Sequence, residues 1–159
     1  MGYDTSFAHI LPINYCQQQD LYIKKLSYLL AAMLVKPGDD LQLLMNNTIM
    51  KDLQSDNIFV VMIALTMIRY FAVQDNIDIF LPFVLKLTKS KTSVLRKKAL
   101  LVLYNFHAVD SKYVVNIKNF ALEALGDTDT SVVFTGSFIL KMLVMSNPHA
   151  HKDIVKPIC

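Results

Sequence analysis

Residues 57–71 read NIFVVMIALTMIRYF, and the order of small and large side chains in this stretch decides the fold. With Asn57 as position 0, a helix-capping residue type comes first, small Ala64 follows at +7 and large Leu65 at +8. The same template fits Asp20/Ser27/Tyr28, Thr92/Ala99/Leu100 and Thr130/Ser137/Phe138. The four copies begin 37, 35 and 38 residues apart. Positions +3 (Ile23, Val60, Leu95, Val133), +10 (Leu30, Met67, Val102, Leu140) and +14 (Leu34, Phe71, Phe106, Val144) are all apolar. That is the spacing of one helix face, and a small side chain at +7 lets a partner helix approach. At +11 the series Ala31, Ile68, Leu103 ends in Lys141, so the fourth copy fits less well.

Each copy fills half of a period, and a second helix fills the rest. Asp4, Asp39, Asp75 and Asp110 recur every 35 or 36 residues, each ahead of a helix-like segment. Asp and Asn side chains accept hydrogen bonds from the free N–H groups of a first helical turn, worth roughly 1 kcal/mol per cap. The spacing predicts first helices near 5–18, 40–54, 76–90 and 111–125, and second helices near 21–35, 58–72, 93–108 and 131–146. Pro37-Gly38 and Gly126 mark turns between them. Pro12 falls inside the first of these helices and is expected to kink it, with Pro82 a milder case.

A repeating helix pair of this length is the signature of an α-solenoid. The expected fold is all-α, a right-handed solenoid of about four HEAT/armadillo-like pairs near 4–35, 39–72, 75–108 and 110–146. These form a single domain over 1–159, with 147–159 opening a fifth pair that stops. Both ends look cut, so the chain reads as a piece of a longer solenoid, with apolar surface expected at each end.

Composition narrows the function classes. The chain is 53% hydrophobic and 18% charged, with mean hydropathy +0.37. Yet its longest uncharged, apolar run, Ile58 to Ile68, has 11 residues, and a membrane span needs about 20. No secretory signal pattern opens the chain. Cys16 and Cys159 do not resemble a disulfide framework, which favours a reducing compartment. A net charge of +3 is too mild to imply nucleic acid.

Catalytic patterns are missing. Four glycines build no phosphate loop, and HExxH, GxSxG and CxxC do not occur. His149, His151 and Cys159 offer soft metal ligands, but three residues at the chain end make a weak set; no metal and no cofactor is expected. Cys16 and His107 read as structural, as does the glycosylation-like Asn46-Asn47-Thr48 inside a helix. Met1-Gly2-Tyr3-Asp4-Thr5-Ser6 matches a myristoylation pattern, which matters only if Met1 is the natural start. A basic corner is more informative: no acidic residue occurs from Ile79 to Val109, while Lys86, Lys89, Lys91, Arg96, Lys97 and Lys98 bracket one turn. These residues either decorate a solvated turn or contact anionic headgroups or an acidic partner, each charge worth about 1 kcal/mol at a membrane surface.

Several segments together resemble the N-terminal trunk of the adaptin large chains of clathrin-adaptor-type vesicle coats. They are Gly2-Tyr3-Asp4 with Phe7, Lys25-Leu26-Ser27-Tyr28-Leu29, Lys51-Asp52-Leu53-Gln54-Ser55, Ala64-Leu65, and Arg96-Lys97-Lys98-Ala99 leading to Leu103-Tyr104. The Gly-Tyr-Asp opening and the Lys-Asp-Leu-Gln-Ser run look most like the epsilon chain of the fourth adaptor complex, with gamma and alpha chains the neighbouring possibilities. The resemblance implies a non-catalytic coat subunit in intracellular protein transport, cytoplasmic and peripheral on trans-Golgi or endosomal membranes. It also implies partners: a small, a medium and a second large adaptor chain, and an Arf-family GTPase packing on apolar side chains that match Ile10, Ile13 and Leu44. Ser27 replaces the family's glycine harmlessly, whereas Pro12 sits between two of the GTPase positions. The alternative is an unrelated HEAT/armadillo-type scaffold or transport receptor that shares the period.

Overall fold

The computed structural model describes residues 10–35 and 40–148, and among them every regular element is helical. In order they are α1 (Ile10–Tyr15), α2 (Leu21–Leu34), α3 (Asp40–Leu53), α4 (Ile58–Phe71), α5 (Ile77–Leu87), α6 (Ser93–Val109), a 3-10 turn (Ser111–Tyr113), α7 (Val114–Ala124) and α8 (Thr130–Ser146). The expected caps Asp4 and Asp39, the Pro37-Gly38 turn, the Gly-Tyr-Asp opening, the myristoylation pattern and most of the expected fifth pair lie outside the described residues. So do His149, His151 and Cys159.

The chain forms two compact units, Met1–Phe83 and Val84–Cys159. In the first, α1 packs on α2 and α3, while α4 packs on both α2 and α3. Its core includes Tyr28, Met45, Ile49, Leu65 and Ile68, all fully enclosed. In the second unit α6, α7 and α8 pack mutually, and the 3-10 turn closes against α6 and α7. Phe106, Ile117, Ile139 and Leu140 lie at its centre.

The caps follow the sequence with two corrections, and Thr92 precedes α6 without a side-chain cap hydrogen bond. Asp20 accepts from the amides of Tyr22 and Ile23, and Asn57 from that of Phe59. At the start of α8, however, the cap is Asp129, which accepts from the Ser131 amide at 2.8 Å; Thr130 is already helical. The fourth copy is therefore read one residue too late from the sequence. With Asp129 at position 0, +3 is Val132, +7 is Gly136, +11 is Leu140 and +14 is Leu143, all buried. Lys141, the apparent misfit at +11, is exposed. The second correction concerns Asp75: the turn before α5 is held by buried Asn76. Its carboxamide accepts from the Val73 amide and donates to the Phe71 carbonyl and to Asn46 Oδ1.

Gly136 shows why a small residue is needed at +7. A Cβ there would stand 2.8 Å from the Ala121 carbonyl oxygen and 2.9 Å from Ala124 Cβ. α7 and α8 therefore touch backbone to backbone. Several first helices are shorter than the spacing predicts, α5 among them, which ends at Leu87 and not near 90. Pro12 lies within α1, which stops at Tyr15. The expected 111–125 helix opens instead with the 3-10 turn, because the Asp110 carboxylate accepts from the Lys112 amide and tightens the chain.

Candidate interaction surfaces

The three apolar positions of the first unit do not share one environment. Ile10 on α1 is 47% exposed and Leu44 on α3 is 46% exposed, whereas Ile13 is only 5% exposed. α1 and α3 are packed neighbours, so Ile10 and Leu44 are accessible on adjacent helices while Ile13 fills the core between them.

The first unit also holds a polar cluster that the periodicity does not reveal. Lys24, at +4 of its repeat, reaches Asp52 at the end of α3 with its ammonium 2.7 Å from one carboxylate oxygen and 3.0 Å from the other. The same ammonium donates to the Cys16 carbonyl at 2.6 Å, satisfying the chain just beyond α1. Tyr28 donates its hydroxyl to Asp52 at 2.8 Å. Lys24 and Asp52 are both buried. Desolvation pushes the Tyr28 phenol well above its ordinary value, and the Asp52 charge adds to this. Burial likewise raises the Cys16 thiol from 9.0 to about 12, against a smaller opposing pull from Lys24. Such a thiol is no nucleophile. One sequence signal could have found the cluster: position +4 carries buried Val61 in the second copy, so a lysine there needs a buried partner.

The basic corner, all within the second unit, divides by function. Lys86, Lys89 and Lys91 are exposed, while Lys97 and Lys98 are half-buried. Arg96 is committed to internal bonds. Its guanidinium meets Asp127 through two bonds of 2.6 and 2.7 Å, and donates to the carbonyls of Ser90 and Lys91. It therefore ties the α5–α6 turn to the α7–α8 turn, and the fork geometry of arginine suits this task. Arg96 in turn holds the Asp127 carboxyl below the usual carboxylate range. Asp129 is drawn down from 3.8 to about 2 by hydrogen bonds from Ser131 and from Ser93 at the start of α6. A cavity of about 220 Å³ opens beside this junction, lined by Thr88, Leu100, Phe120, Glu123, Asp127 and Val132 among others. The Lys89 ammonium lies 6.0 Å from the centre of the Phe120 ring.

The described residues contain no group of three or more His, Cys, Asp or Glu side chains able to hold a metal ion. No described helix is long and apolar enough to cross a membrane.

Residues 1–158 match the family described as the adaptin N terminal region. The chain belongs to the adaptin family. Similar curated relatives are the AP-4 complex subunit epsilon-1 of Mus musculus, 31% identical over 98% of this chain, and that of Homo sapiens, 32% identical over 97%. The AP-4 complex subunit epsilon of Arabidopsis thaliana is 31% identical over 98% of the chain. This adaptin chain spans 14% of the length of the two mammalian relatives and 16% of the plant one. A chain in a homology model of the full-length AP-3 complex in an intermediate open conformation superposes with a TM-score of 0.79. It is 21% identical, and the match covers 96% of this chain and 27% of that one. The fold class is thus the all-α solenoid of helix pairs that the period predicts, and the family match retires the reading of an unrelated repeat protein.

Proposed function

We propose that this chain is the opening, non-catalytic trunk segment of an adaptor-complex large subunit, acting in vesicle-mediated transport and cargo sorting by presenting surfaces to partners. The observation that carries the reading is the match to the adaptin N-terminal region over residues 1–158, reinforced by relatives that are themselves adaptor-complex subunits. Its partners are the small, medium and second large adaptor chains, with a GTP-loaded Arf-type GTPase for recruitment to trans-Golgi or endosomal membranes. Residues 1–159 act as one stretch of a longer trunk, in keeping with the 14–16% of their length that this chain spans in its relatives.

Exposed Ile10 and Leu44 are the side chains open to the GTPase, while Ile13 supports them from the core. Lys86, Lys89, Lys91, Lys97 and Lys98 supply the charge for an anionic surface. Arg96 contributes by holding the corner together. The test is co-purification of the full-length subunit with its three companion chains, followed by capture on GTP-locked Arf. The reading expects an intact four-chain assembly and capture that falls at least about tenfold with Ile10→Asp plus Leu44→Asp, since central interface residues often carry that much. Failure to co-assemble overturns it; assembly with unchanged GTPase capture overturns the Ile10/Leu44 assignment alone.

A further inference from the structure

We propose that the groove between α6 and α8 docks an amphipathic helix with apolar residues one turn apart and an acidic flank. The inference does not rest on the adaptor assignment. It starts from α8, whose inward face buries Val132, Gly136, Ile139, Leu140 and Leu143. The opposite face should be polar on a helix that meets only water. Instead Phe134 is 72% exposed and Met145 is 65% exposed, with exposed Phe138 between them. With Lys141 these residues fall at i, i+4, i+7 and i+11 and form one stripe, about 16 Å long at 1.5 Å per residue.

α6 supplies the other wall. It packs along α8, and Asp129 at the start of α8 accepts a hydrogen bond from Ser93 at the start of α6. The two helices therefore run in the same direction and in register. Counted from their caps, Thr92 and Asp129, Lys97 corresponds to Phe134, and exposed Leu101 to Phe138. Packed helix axes lie 8–10 Å apart, so Lys97 and Leu101 stand at matching heights beside Phe134 and Phe138, and the line between the two helices is bordered by three apolar residues and one basic residue.

Charge selects the occupant. Neither α6 nor α8 contains an Asp or a Glu, and among the described residues neither Lys97 nor Lys141 forms an ion pair with a carboxylate. The carboxylates at the N-terminal end of the groove, Asp127 and Asp129, are engaged by Arg96 and by the helix cap. The groove thus complements an apolar and acidic ligand. Phe134, Phe138 and Met145 offer apolar contacts at the spacing at which a helix lying in a groove presents its own anchors. A lipid surface fits less well, because Lys141 stands inside the stripe. Inserting Phe138 and Met145 together would carry an ammonium toward the hydrocarbon, whereas a carboxylate on a peptide pairs with it.

The test uses the full-length chain and a labelled helical peptide of roughly 16 residues, with leucines at i, i+4, i+7 and i+11 and glutamates beside them. A second peptide carries lysine for every glutamate, and vesicles of phosphatidylcholine with phosphatidylserine form a third arm. Fluorescence anisotropy should show binding of the acidic peptide only. Phe134→Ser with Phe138→Ser should weaken it at least about tenfold, and Lys141→Glu several-fold. All four replaced side chains, Lys97 included if Lys97→Glu is added, lie on the groove walls, and unchanged helical content and melting temperature confirm that the variants fold. The proposal is overturned by no binding of the acidic peptide, by equal binding of both peptides, or by variants that bind as well as the parent. Vesicle binding that the two Phe substitutions abolish, with no peptide bound, also overturns it by assigning the face to the membrane.

Discussion

Lys24 and Asp52, 28 residues apart in the chain, form a buried ion pair of 2.7 Å whose side chains are 6% and 8% exposed. Two charges removed from water are worth keeping only if both stay satisfied. Here the lysine has three acceptors and the carboxylate also takes the Tyr28 hydroxyl. Removing one partner leaves the other buried and uncompensated, a loss of about 3–5 kcal/mol. Lys24→Met and Asp52→Leu should each destabilise the protein by that order in urea unfolding. The triple variant Lys24→Met/Asp52→Leu/Tyr28→Phe should recover most of the loss. If the triple variant is as unstable as the worse single one, packing rather than charge pairing holds this region.

Cys16 is fully buried and its thiol is raised to about 12. At pH 8 almost none of it is thiolate, so a thiol-directed reagent should modify it only after denaturation. The linkage has a defined sign. The folded value exceeds the ordinary 9.0, so the stability tied to this thiol is complete below pH 9 and is lost as pH rises toward about 12. Cys16→Ala should reduce the alkaline fall in melting temperature over that window. Rapid labelling of the native protein at pH 8 would contradict the burial.

Gly136 and Ser137 give opposite expectations for the same substitution. Replacing a helical glycine by alanine ordinarily stabilises by up to about 1 kcal/mol. At Gly136 the new methyl meets the Ala121 carbonyl at 2.8 Å, so Gly136→Ala should destabilise by about 1–3 kcal/mol. Exposed Ser137→Ala should be neutral or slightly stabilising. Thermal melts of the two variants decide which residue occupies the +7 position of the fourth repeat.

Asp129 carries an acid-side prediction. Its folded value of about 2 lies below the ordinary 3.8, so its contribution is present above that value and is lost as pH falls from 3.8 toward 2. Asp127, lowered by the Arg96 guanidinium, acts in the same direction. Asp129→Asn should flatten the decline of melting temperature between pH 4 and 2, and should leave the alkaline side untouched.

The helices were legible because each second helix repeats one apolar face, and a 3.6-residue period survives single misfits. The register of α8 was not legible, since Asp129 and Thr130 are both good caps and only packing against α7 chooses between them. Spacing alone also could not separate Arg96 from its basic neighbours. Its partner Asp127 lies 31 residues on, and charge runs in a sequence do not record which charges are spent internally. Of the apolar trio, sequence gave no reason to divide Ile13 from Ile10 and Leu44. That division follows from α1 lying against both α2 and α3.

Lys24 and Arg96 each hook a second helix to an acid supplied by the pair that follows, Asp52 in one case and Asp127 in the other. On a ribosome the hook is made before its eye. When α2 has emerged, Lys24 has nothing to close on, and α2 must keep that ammonium in water until α3 follows it. Each of these two ion pairs can therefore close only after residues of the following pair have been made.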